Sequence, residues 1–139
     1  MLNSKLIAAL LIGGALAAGC QKNEENALPA GTVSIGNKGA ARIGQDITIK
    51  ADSISDSRCP KNVQCVWAGN ARVGFTLSSS TVSKKDTLCV GDCRTTKGSV
   101  DTLTLGSDRY QVTLVDVTPY PATTDPNPKA EAVFKVVKL

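Results

Sequence analysis

Five cysteines, a single tryptophan and no histidine bound the chemistry open to this chain. A thiol can bridge, ligate a metal or carry a group. Without imidazole the commonest general base and metal ligand is missing, and with it His-based triads and most zinc enzymes. Two of the cysteines fall in Cys59-Pro60-Lys61-Asn62-Val63-Gln64-Cys65-Val66-Trp67-Ala68-Gly69, and two more bracket Val90-Gly91-Asp92 as Cys89 and Cys93. Four such thiols allow three pairings or a four-cysteine zinc site. Zinc ligands are normally spaced more tightly, and a secreted chain is oxidised in transit, so disulfides are the reading taken. Pairing Cys59 with Cys65 closes a loop worth only about 2.3 kcal/mol of chain entropy, against about 3.7 kcal/mol for Cys59 with Cys89. Geometry decides instead: each local pair sits on a turn holding a proline or a glycine, which favours Cys59–Cys65 and Cys89–Cys93.

The remaining reactive side chains make weaker patterns. Asp52, Ser53, Ser55, Asp56 and Ser57 offer oxygens that suit calcium, but the EF-hand spacing and its bidentate glutamate are absent. Solvated strand edges and turns account for them. Ser57 and the cluster at Ser78 to Ser80 have no base and no Ser-x-x-Lys pattern, so no catalytic residue is assigned and the chain reads as a non-enzyme with no cofactor and no metal. Trp67 follows the second cysteine of the corner closely enough to lay its ring over the bridge and the sheet behind it, locking a corner of the core. The alternative is an exposed Trp67 acting in recognition, with Arg58 and Tyr120 as the other candidate binding residues.

Residues 1 to 19 combine Lys5, the apolar run Leu6 to Ile12 and a small-residue region from Gly13, the layout of a secretory signal too short and Gly-interrupted to span a membrane. Leu16-Ala17-Ala18-Gly19-Cys20 resembles the lipobox of bacterial lipoproteins. That resemblance implies cleavage before Cys20, a diacylglyceryl group on its thiol and acylation of the new terminus, such as palmitate, which together anchor stably where one chain would not. Gln21-Lys22-Asn23-Glu24-Glu25 is similar to the surface-export signal of lipoproteins in one Gram-negative phylum, with Asn23 where an acid is common; a plain charged linker is the alternative. The expected location is the bacterial outer membrane, and residues 20 to 30 form a tether reaching at most about 36 Å. The Asp-Ser-Arg-Cys-Pro and Cys-Val-Trp-Ala-Gly segments also resemble small secreted bacterial proteins and lipoproteins of unassigned function, which implies a scaffold and no activity.

The elements that must position these residues have a period of two. Ile47, Ile49 and Ala51 alternate with Thr48, Lys50 and Asp52; Ala71, Val73, Phe75 and Leu77 share a face; and Ile54 breaks the parity, predicting a bulge or strand end before the corner. Further strands are expected around Val33 to Ile35, Thr87 to Val90, Thr102 to Leu105, Tyr110 to Val117 and Ala132 to Val137, with Ser78 to Lys85 a polar hairpin. Residues 31 to 139 are thus expected to form one all-β antiparallel β-sandwich of about seven strands, immunoglobulin-like, with a small β-barrel as the alternative. The net charge of +4 comes from scattered basic residues without the stripe that a nucleic-acid groove needs. These features together favour a lipid-anchored binding module whose partner is a protein or glycan. The competing readings are an inhibitor of a secreted hydrolase, using the corner or the Tyr120 to Pro128 loop as a wedge, and a structural envelope component.

Overall fold

The computed structural model describes residues 31–94, 96–124 and 129–139. The signal, the lipobox with Cys20 and the tether lie outside these residues. Eight strands run in order: β1 (Thr32–Gly36), β2 (Ala40–Ile43), β3 (Ile47–Asp56), β4 (Asn70–Ser78), β5 (Ser83–Gly91), β6 (Val100–Leu105), β7 (Asp108–Thr118) and β8 (Glu131–Lys138). They form two four-stranded antiparallel sheets, ordered β1-β8-β7-β6 and β2-β3-β4-β5, packed as a sandwich. One expected count is corrected. The extra strand is β2, whose Ala-Ala-Arg-Ile sequence is too short for its alternation to stand out and is held by register with β3, Ala40 opposite Lys50 and Ile43 opposite Ile47.

The connectivity also corrects the immunoglobulin-like expectation. Immunoglobulin sheets are joined by Greek-key connections, whereas here the strands run in sequence order around the perimeter, as in an up-and-down barrel. Sheet pairing breaks between β1 and β2 and between β5 and β6, so the barrel opens into two sheets. The polar segment expected as a hairpin shrinks to the turn after Ser78, because Ser83 to Lys85 pair with β4 as an edge strand. Exposed Lys84 and Lys85 on that edge discourage pairing with another chain.

The alternation builds the core. Ile49, Ala51, Ala71, Val73, Phe75, Leu77 and Leu88 line one inner face and Val112, Leu114, Val117, Ala132, Phe134 and Val136 the other. Phe75 and Phe134 meet between the sheets with ring centroids 5.4 Å apart. The parity break is a bulge, where the β3–β4 register shifts between Ala51 and Ser53. A second shift between Leu114 and Asp116 leaves Val115 exposed and turns Val117 inward. Both bulges re-aim the residues beyond them toward the same end of the sandwich.

Across the β5/β6 seam, Lys97 Nζ donates to Asp86 at 2.8 Å and to Asp101 at 2.6 Å. Asp86 first, through the Lys97 ammonium that the two carboxylates share, then Lys97 itself and the Thr102 N–H bring the Asp101 pKa down to about 2. A depressed folded-state pKa contributes stability above the ordinary carboxylate value of about 3.9 and loses it as pH falls through the folded value. The melting-temperature gap between wild type and Asp101→Asn should therefore be constant above about pH 4 and close towards pH 2. An unchanging gap across that window in an acid series of thermal melts would show that the seam carries no such linkage.

Candidate functional site

Besides the β1–β2 turn, three loops build the pole at which β1, β3, β5 and β7 end and β4 and β8 begin. The first, between β3 and β4, carries the Cys59–Cys65 bridge, and the second, after β5, carries Cys89–Cys93, so the local pairing is the one observed. The β3–β4 ladder continues into the first loop, where Ser57 N–H donates to Asn70 O at 2.8 Å and Cys59 N–H to Ala68 O at 2.7 Å. The third loop follows β7: Lys61 N–H donates to Pro121 O at 3.1 Å and Thr123 N–H to Asn62 Oδ1 at 3.1 Å. The second is tied to the first by Asp92 N–H donating to Gly69 O at 2.9 Å and Asn70 Nδ2 to Asp92 O at 2.8 Å.

Glycine permits this close approach. Gly69 has φ +71°, and a Cβ there would stand 2.0 Å from Ser57 O. Gly91, at φ +95°, would put a Cβ 2.9 Å from Gly69 O. A larger residue at Gly69 would force the β3–β4 loop open, and one at Gly91 would push the two disulfide loops apart.

Arg58, one of the candidate binding residues, lies buried under the corner with its guanidinium engaged inside the protein. It is 7% exposed. Its Nε and Nη2 fork onto Asp56 at 2.9 and 2.6 Å, Nη1 reaches Asp116 at 3.1 Å across the sandwich, and Nη2 also donates to Val117 O. The Tyr120 ring covers the guanidinium, 4.4 Å from its centroid. The hydrogen bond to Asp56 raises the Arg58 pKa, outweighing the opposing effect of burial. Asp56 is thus engaged by arginine and Asp52 accepts from Thr76 Oγ1 at 2.6 Å, so these members of the suggested calcium set serve the sheet. Tyr120 remains half exposed, with one face spent on Arg58.

Trp67 corrects the favoured reading of the corner. The ring does not cover the bridge and core; it is 76% exposed, beside fully exposed Val66 and half-exposed Val63. Trp67 forms a wall of a cleft of ≈ 410 Å³ whose other lining residues are Ser57, Gly69, Asn70, Asp92 and Arg94. Arg94 forks onto Asp92, with Nε and Nη2 each 2.7 Å from a carboxylate oxygen. That hydrogen bonding pulls the Asp92 pKa below its ordinary value and lifts that of Arg94, so the pair stays charged.

Sequence reasoning named Trp67 but missed the rest of the cleft. Arg94 and Asp92 carry no motif, and the only signal is that both adjoin Cys93 on a turn. Val66-Trp67 gave a clearer one: two adjacent large apolar residues just after a turn cysteine cannot both face a core from a strand. Comparison of the chain with protein-family models, with curated proteins and with solved structures finds no match.

Proposed function

We propose that the protein is a lipid-anchored bacterial envelope lipoprotein, held at the outer membrane by acylated Cys20, and that its β-sandwich is a non-catalytic binding module using the disulfide-clamped pole. The observation that carries the reading is the exposure of Trp67 on a loop fixed by a bridge and by hydrogen bonds to both neighbouring loops. A large ring left in water on a rigid support loses little conformational entropy on binding, and tryptophan dominates interface hot spots. The path of the chain supports the orientation. Gly31 O accepts from Val136 N–H, two residues before the end of β8, and β1 then runs toward the clamped pole. Trp67 is therefore carried at the end of the sandwich to which β1 leads, away from Gly31. Gln21 to Glu25 would direct the module to the outer face.

A photo-reactive residue placed at Val66 in intact cells should give discrete adducts, whereas one at exposed Lys84 on the β5 edge should not. Cys20→Ala should release the protein from the membrane or leave the precursor uncut. Equal labelling from both positions would contradict the assignment of the pole, and membrane retention of a wild-type protein lacking acyl mass would contradict the anchor. The convex loop, with Lys61 and Val63 outward, also favours a second reading as a wedge into a secreted hydrolase. Inhibition of envelope or host hydrolases by the purified protein, lost in Val63→Asp, would select it.

A further inference from the structure

If the clamped pole is the binding surface, on which reading the identity of a ligand rests, then the cleft beside Trp67 has features that define the chemistry of its occupant. One wall is the indole, flat and mostly in water. The same cleft is lined by a charged pair. Arg94 uses Nε and Nη2 on Asp92, which leaves Nη1 with two protons directed to no described residue. Its side chain is 84% exposed while that of Asp92 is 23% exposed, so the carboxylate is held at the cleft and the guanidinium reaches out from it. Ser57 Oγ donates to Asn70 O at 2.9 Å, which leaves the hydroxyl oxygen able to accept, and no described donor takes Asn70 Oδ1. The lining therefore offers one apolar face and a row of both donors and acceptors.

That combination matches a ligand with a flat C–H face and a rim of hydroxyls, each hydroxyl being donor and acceptor together. A protein anchor of the usual kind, an aromatic or aliphatic side chain, would fill an apolar pocket and leave Arg94 Nη1 and Asn70 Oδ1 without use. A simple anion would meet Asp92 as well as Arg94. We propose that the cleft binds a saccharide, one sugar ring stacked on Trp67 and its hydroxyls hydrogen-bonded to Asp92, Arg94 and Asn70. The ≈ 410 Å³ volume lies in the range of small-molecule sites. Both loops that carry the lining are tied by a disulfide, so little backbone ordering opposes binding.

Because Trp67 is the single tryptophan, indole fluorescence reports this cleft alone. The full chain in a detergent without a sugar headgroup is titrated with three probes: maltotriose, cellotriose and the trimer of N-acetylglucosamine. At least one should give a saturable emission change, and Arg94→Ala should weaken that binding tenfold or more. Trp67→Ala, followed by saturation transfer to the sugar protons, should abolish ring contact, while Lys84→Ala should bind as wild type. No saturation by any of the three, or equal affinity in Arg94→Ala, overturns the proposal. If the trisaccharides fail while a photo-reactive residue at Val66 captures an envelope protein, the saccharide inference falls and the binding-surface reading stands. If both fail, both fall.

Discussion

Arg58→Ala should lower folding stability by about 3–5 kcal/mol, the range for breaking a buried ion pair from one side. The cost does not come from the guanidinium's own attraction, much of which is offset by its desolvation. It comes from what is left behind. The Asp56 side chain is 14% exposed and would lose both charged donors, and Val117 O would lose its Arg58 donor inside the sandwich. Asp116 would suffer less, because its side chain is half exposed and its Oδ1 still accepts from the Val117 N–H at 2.7 Å. Arg58→Lys should be intermediate, since an ammonium keeps the charge but cannot fork onto Asp56 while reaching across to β7. Arg58→Met combined with Asp56→Leu should recover part of the loss by removing both charges together. Urea midpoints at constant slope measure all three. A loss below about 1 kcal/mol for Arg58→Ala, as for a surface pair, would contradict the burial and the bridging of the two sheets.

Gly69→Ala should cost about 3 kcal/mol, the upper end for a non-glycine residue held in a sparsely populated backbone region. Here the conformation and the space both refuse the methyl group, since the obstructing atom at 2.0 Å is a backbone carbonyl oxygen that no side-chain rotation can clear. Relief requires the β3–β4 loop to open, which would break the Ser57–Asn70 and Asp92–Gly69 hydrogen bonds and displace Trp67 from the cleft it lines with Arg94. The variant should therefore lose partner binding even at temperatures where it remains folded. Gly98→Ala is the matched control: nothing lies within 4 Å of its added Cβ, and the change should stay within about 0.5 kcal/mol. Equal stability of the two variants would contradict the close crossing of the loops.

The parts of this molecule legible in its sequence are those governed by local rules. Ala71, Val73, Phe75 and Leu77 face inward because a strand alternates, and of the two outcomes that the Ile54 parity break allowed, a bulge or a strand end, the bulge is the one found. The local cysteine pairs followed from turn residues. What stayed hidden depends on distant partners. β2 has only four residues in which to alternate and is held by its pairing with β3. Arg58 looked available because the partner that buries it, Asp116, is 58 residues away. Trp67 was placed correctly beside the bridge and wrongly over the core, since spacing along the chain fixes which loop holds the ring but not which way the ring turns. Arg94 and Asp92 join Trp67 through a fold-level neighbourhood, two turns brought together at one pole.

The claim on which the binding account depends is that Trp67 is a free surface and no part of the core. The change in unfolding free energy for Trp67→Ala, followed by far-ultraviolet circular dichroism in urea, tests it most directly. The account predicts a change within about 0.5 kcal/mol, as for a surface side chain. A loss of about 3–5 kcal/mol, the cost of emptying a core site of this size, would contradict it and return the corner to a purely structural role.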